Sequence, residues 1–265
     1  MPTDTVDLLV PIRHEIAGVP VQYPPKPGSI DAVAADLRGV KTVILPGTGS
    51  DDDYAARAFA GPLADSGARV LTPAPRPNRL VAGYRAALDD AAHAGPIAVG
   101  GISIGAAVAA AWALQHPDRT LAVLAALPAW TGAPDGAPAA LAARHSADQL
   151  RRQGLARTTA QMRASSPPWL GEELARSWRG QWPQLPDAMD EAAGYIAPNQ
   201  AELGRLAAPL GVAAAIDDPI HPLAVGVEWV NAAPRAALRT LTLDEIGAEP
   251  AALGAACLAA LDDLL

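Results

Sequence analysis

The pentapeptide Gly101-Ile102-Ser103-Ile104-Gly105 constrains this chain more than any other feature. It follows an apolar run, Ile97–Val99, that predicts a buried strand. It opens an uncharged, alanine-rich run, Ile104–Gln115, that predicts a helix ended by Pro117. A serine set between strand and helix, with glycine two residues away on each side, suits a sharp turn. Such a turn stands Oγ clear of the sheet edge, where side chains at 101 and 105 would crowd it. The helix start just after Ser103 aims free N–H groups and a positive dipole end at charge developing on an attacked carbonyl. The plain alternative is a structural turn without chemistry.

Around this motif, short Val/Ile/Leu-rich runs alternate with helical ones. Leu8–Ile16 and Val19–Tyr23 predict a leading hairpin turning at Gly18, and Ile30–Leu37 a short helix after a Pro-rich stretch. Strands follow at Thr42–Leu45, Arg69–Thr72, Ile97–Val99 and Leu121–Ala125, with helices at about 54–66, 80–92 and 104–115. The alternation stops at residue 129. From there to about 208, scattered prolines separate helix-prone pieces with no convincing strand. It resumes with strand Gly211–Ile216, helix Leu223–Asn231, strand Leu238–Leu243 and a helix from about Pro250 to Leu264. Repeated strand–helix units predict an α/β fold: a mostly parallel central sheet with helices on both faces. The interruption predicts an inserted helical lid over 129–208, with the core formed by 1–128 and 209–265.

Composition narrows the function. The 265 residues carry a formal net charge of −8, which argues against a nucleic-acid surface and gives no attraction to anionic membranes. The single cysteine, Cys257, excludes an internal disulfide and a cysteine zinc site. The uncharged stretch 97–114 approaches the length of a membrane span. Gly100 and Gly101 in its middle and the lack of basic flanks favour a buried strand–turn–helix instead. The start, Met-Pro-Thr-Asp-Thr-Val-Asp, lacks the basic and apolar regions of a signal peptide, so a cytoplasmic setting is the expectation.

Upstream, Leu45-Pro46-Gly47-Thr48-Gly49-Ser50 is a glycine-rich turn after a strand, able to bring backbone N–H close to a substrate. Together with the run from Val99 to Arg119, it resembles the α/β-hydrolase superfamily, and in particular its lidded, esterase-like serine hydrolases. The likeness covers about residues 40–128 and 209–265. It implies a cofactor-free enzyme, with no metal, that uses Ser103 as nucleophile on a small-molecule acyl substrate such as an ester or thioester. It further implies an oxyanion hole made by the N–H groups of Thr48 and Ile104. It places the acid on the loop Asp217-Asp218-Pro219-Ile220-His221-Pro222, where Asp218 best matches the family's Asp-x-x-x-Pro spacing; the alternative role is a helix cap.

The chain departs from the family where the histidine belongs. Residues 244–249 read Asp-Glu-Ile-Gly-Ala-Glu, with Ala248 at the expected place, and no histidine follows His221. A serine without a base is inert at neutral pH. Of five histidines, His93 and His116 fall at predicted helix ends, His14 in the leading hairpin and His145 in the lid. His221 shares the acid loop, three residues after Asp218, so it starts near Ser103. With Asp217 or Asp218 orienting its ring it would make a compressed triad. Without a working base, the chain would instead be a degenerate relative that binds a ligand or partner; a lyase or acyltransferase on the same scaffold is a third reading. Asp51-Asp52-Asp53 reads first as a helix-start feature. Trp178 and Trp182, four apart in the lid, read as packing or as an apolar pocket wall.

Overall fold

A computed structural model describes residues 36–264. The expected leading hairpin and His14 lie outside the described residues, as does most of the expected helix over 30–37. Asp36 and Leu37, its last two positions, are not helical. The described chain runs β1 (Lys41–Leu45), α1 (Asp52–Asp65), β2 (Arg69–Leu71), α2 (Leu80–Ala92), β3 (Ile97–Ile102), α3 (Ile104–Gln115) and β4 (Thr120–Ala126). A helical stretch follows: α4 (Pro138–Ala164), α5 (Pro168–Gln181), α6 (Leu185–Ala193) and α7 (Gln200–Leu203). The chain then returns through β5 (Leu210–Ala215), α8 (Leu223–Ala232), β6 (Ala236–Leu241), α9 (Leu243–Ala248) and α10 (Ala251–Asp262).

The six strands form one parallel sheet in the order β2-β1-β3-β4-β5-β6. Period-two alternation divides β1 and β3–β6 between two cores, while the edge strand β2 stays largely exposed. Val43, Leu45, Val99, Val123 and Val212 pack under α2, α3 and α8, while Ile44, Ala98, Leu124 and Ala213 pack under α1 and α10. Both faces are covered, so β3 and β5 are buried along their whole length. The tryptophans that anchor the first core satisfy their indole N–H groups: Trp112 donates to Asp89 at 2.7 Å and Trp229 to the Trp130 carbonyl at 3.3 Å.

The chain crosses from β2 over β1 to β3, so strand order reverses between β1 and β3. In open α/β sheets, ligands bind beyond the carboxyl ends of strands at such a switch. The loop after β1 and the turn after β3 therefore stand side by side. The helical stretch α4–α6 has a small core of its own, with Leu150, Trp178, Leu185 and Met189 buried together. Among the described residues, no helix is long and apolar enough to cross a membrane.

Several expected boundaries move by a few residues, and two of the shifts bear on the site. β3 continues three residues past Val99 to Ile102, because Gly100 and Gly101 pair with β4 and β1 rather than breaking the strand. β6 ends at Leu241, and the expected loop 244–249 is largely the short helix α9. Thr242 accepts from the Glu245 N–H while Glu245 reaches back to the Thr242 N–H, a reciprocal cap that starts a helix where a loop was expected.

Candidate active site

Ser103 links β3 directly to α3 with φ 56° and ψ −116°, a conformation that L-residues rarely adopt. Among the described residues, the only other non-glycine with positive φ is Leu127, at the end of neighbouring β4. Backbone strain is thus concentrated at the carboxyl edge of the central strands; each such residue costs about 1–3 kcal/mol. The flanking glycines make the turn possible. A Cβ on Gly101 would sit 2.6 Å from the Leu45 carbonyl oxygen, and one on Gly105 only 2.2 Å from the same atom. The turn is pressed against the end of β1 too tightly for any side chain at either position.

The loop after β5 brings an imidazole to Ser103. His221 Nε2 lies 3.0 Å from Ser103 Oγ, across 118 residues of sequence, and His221 Nδ1 lies 2.7 Å from Asp218 Oδ2. An ionised carboxylate can only accept, so the ring proton sits on Nδ1 and the Nε2 lone pair faces the hydroxyl. The second Asp218 oxygen, Oδ1, accepts the Ile220 N–H at 2.8 Å and the His221 N–H at 3.2 Å. One side chain thereby folds the loop and orients the ring. Burial pushes the Asp218 carboxyl up, but the hydrogen bond and charge of His221, with the two backbone N–H groups, hold it below its ordinary value. Asp218 is 8% exposed at the side chain and His221 17%, so the pair is sheltered while the ring edge stays open.

The two candidate acids separate cleanly. Asp217 is exposed and accepts the Leu243 N–H at 2.8 Å, tying the acid loop to the start of α9; it does not touch His221.

Of the two N–H groups expected for an oxyanion, Ile104 is the first residue of α3 and has no intrahelical acceptor for its N–H. Thr48 is the second residue of a tight turn closed by the Ser50 N–H on the Gly47 carbonyl at 3.1 Å, with Gly49 at φ 70°. A positive φ at that third position marks a type II turn. An added Cβ on Gly47 would lie 3.6 Å from Ser103 Cβ, so this turn abuts the serine.

The other sequence candidates lie elsewhere. His116 stacks on Trp112 at 4.3 Å between ring centroids and its Nδ1 lies 2.9 Å from the Trp112 carbonyl oxygen; His93 follows α2, and His145 is exposed on α4. Asp51 caps α1 through the Tyr54 N–H and grips the Arg176 guanidinium, which also pairs with Asp53. Among the described residues, no cluster of His, Cys, Asp and Glu is arranged to hold a metal ion. Trp178 is buried in the helical core against Gly49. Trp182 follows the last residue of α5 with its N–H on the Trp178 carbonyl at 3.0 Å and is 38% exposed, so of the two indoles only that of Trp178 is buried.

Three side chains make contacts that escaped sequence reasoning. Tyr84 Oη, buried in α2, donates to the Pro46 carbonyl at 3.0 Å, and Gln181 Nε2 donates to the Ser50 carbonyl at 2.8 Å. Trp169 packs on Gly247 of α9, where the family's histidine loop would be, and stacks on Tyr54. All three span more than 35 residues of sequence, and no local pattern announces them.

No protein-family model matches the chain, and a comparison with curated proteins finds no match. Solved structures do match. A thermophilic esterase from Thermogutta terrifontis superposes with a TM-score of 0.66 at 18% identity, over 93% of this chain and 99% of the esterase. The enol-lactonase of Burkholderia xenovorans LB400 gives 0.62 at 19% identity, over 86% and 92%. A structure from work on carboxylesterases of Nitrososphaera gargenis gives 0.63 at 17% identity, over 78% and 83%. The chain has the α/β-hydrolase fold.

Proposed function

We propose that the protein is a serine hydrolase that cleaves a small ester, thioester or related acyl substrate. One observation carries this reading: Ser103 Oγ, His221 Nε2 and Nδ1, and Asp218 Oδ2 form an unbroken hydrogen-bonded line at 3.0 and 2.7 Å. The solved relatives, esterases and a lactonase among them, support the same class.

Ser103 Oγ attacks the acyl carbon as its proton passes to His221 Nε2. The resulting imidazolium is stabilised by the Asp218 carboxylate. Negative charge gathers on the carbonyl oxygen, where the N–H groups of Ile104 and Thr48 receive it. As the tetrahedral adduct collapses, His221 returns the proton to the leaving alcohol or thiol, leaving an acyl-serine. Water then attacks that ester with His221 as base, and Ser103 is released with the carboxylic acid. Ile216, just before the acid loop, and Ile220, within it, are 59% and 38% exposed and favour an apolar group on the substrate beside His221. Helices α4–α6, within the expected insertion over 129–208, would form a lid on this site.

A binding-only reading drew its force from the absent histidine after β6. An imidazole at 3.0 Å from Ser103 supports the catalytic reading over it.

The test is labelling with a fluorophosphonate, which needs an activated serine. Wild type should label, and Ser103→Ala and His221→Ala should not. Failure of the wild type to label, or full labelling of His221→Ala, would falsify the mechanism.

A further inference from the structure

The turn that carries the Thr48 N–H is held from two sides. On one side Gly47 abuts Ser103, and Tyr84 Oη fixes the preceding Pro46 carbonyl. On the other side stands α5, which belongs to the helical insertion and not to the sheet. Gln181, 6% exposed, splits its amide hydrogens between the Ser50 carbonyl and Ser177 Oγ, each at 2.8 Å. The Trp178 indole, 3% exposed, lies where a Cβ on Gly49 would be, with Nε1 2.7 Å from that position. Arg176 closes the contact by gripping Asp51 with both terminal nitrogens, at 2.7 and 3.1 Å, one residue beyond the turn.

These contacts come from consecutive turns of a single helix and fall on successive residues of the loop. Buried amides with both hydrogens used are rigid donors, since rotating one would leave a carbonyl or hydroxyl unpaired. A type II turn can rotate its middle peptide, and that peptide joins Thr48 to Gly49. The indole against Gly49 and the amide on the Ser50 carbonyl hold the two residues that follow this peptide. The peptide before it, which bears the Thr48 N–H, shares the same short ring.

We propose that Gln181 and Trp178 are positioning residues for the oxyanion hole: α5 acts as a wall that keeps the Thr48 N–H aimed at the adduct on Ser103. This rests on the serine-hydrolase reading. It also gives the insertion a task beyond covering the site, because half of the oxyanion hole is then set by the insertion rather than by the sheet.

The experiment compares wild type, Gln181→Met and Ser177→Ala in p-nitrophenyl acetate hydrolysis and in inhibition by phenylboronic acid, whose serine adduct is tetrahedral. Gln181→Met keeps the length of the side chain and deletes the donor. Its kcat should fall about 10- to 30-fold, short of the 10²–10³ that follows outright removal of an oxyanion donor. KM should stay within about threefold, and phenylboronic acid should weaken by the same factor as kcat. Ser177→Ala leaves Gln181 in place with one partner lost, so a smaller kcat loss, still without a change in KM, is expected. It carries the test if the methionine variant does not fold. Wild-type kcat in both variants, or a KM rise equal to the loss in kcat/KM, overturns the assignment. A wild type that neither hydrolyses the ester nor labels with fluorophosphonate overturns the hydrolase reading beneath it.

Discussion

Replacing Asp218 by asparagine separates the two tasks of this side chain. Oδ1 accepts two backbone N–H groups, from Ile220 and His221, and only an oxygen can keep those bonds. The asparagine must therefore place its amide nitrogen where Oδ2 was, 2.7 Å from His221 Nδ1. A donor there forces the ring proton to Nε2, and the lone pair that should take the Ser103 proton is gone. The loop keeps its fold while the base is lost. Hydrolysis should drop about 10³- to 10⁴-fold, on the order of 4–5.5 kcal/mol of transition-state stabilisation, as when an orienting carboxylate is made an amide in a serine protease. Stability should change far less. A charge-assisted bond of about 1.5–3 kcal/mol is exchanged for a neutral one of about 0.5–1.5 kcal/mol, so the Tm should fall by roughly 2–4 °C. Fluorophosphonate labelling rates and thermal melts of Asp218→Asn and Asp217→Asn, side by side, make the assay. The reasoning is refuted if Asp218→Asn labels within tenfold of wild type, or if Asp217→Asn is the slower of the two.

Gly105→Ala would push a methyl to 2.2 Å from the Leu45 carbonyl oxygen. Since backbone on both sides must yield, it should cost about 2–4 kcal/mol in a denaturant titration and abolish labelling. The Asp218 carboxyl is held below its ordinary 3.8, so its contribution to stability is present above that value and is lost as pH falls through the lower folded value. The stability gap between wild type and Asp218→Asn should accordingly narrow below about pH 4, the ordinary carboxylate range, in melts taken across pH. Cys257 is fully buried, and burial raises its thiol far above the usual range. Native protein should leave a thiol reagent such as Ellman's unreacted at pH 8, and denatured protein should consume one equivalent.

Much of the architecture was legible because its signals are local. Alternating runs announced the strands, and Pro117 announced the end of α3. The errors were local as well. Gly100 and Gly101 suggested an end to β3, yet between two parallel neighbours a glycine pairs as well as any residue, and here only glycine fits. Thr242 and Glu245 make a capping box, which the expectation of a loop passed over.

By itself, the sequence determined the sharp turn at Ser103 and placed two carboxylates, Asp217 and Asp218, beside His221 on one loop. A glycine two residues either side of Ser103 is a short-range instruction, and so is a carboxylate three residues before an imidazole. Tertiary structure decided whether that imidazole meets the serine. His221 hangs from β5, two strands away from β3 in the sheet, and the 3.0 Å contact exists only because parallel pairing brings both carboxyl ends to one edge. The same holds for Gln181 at the Ser50 carbonyl, 131 residues away. Hydrogen bonds act over a few ångströms, and strand order and helix packing, which no local pattern encodes, determine which distant atoms come that close.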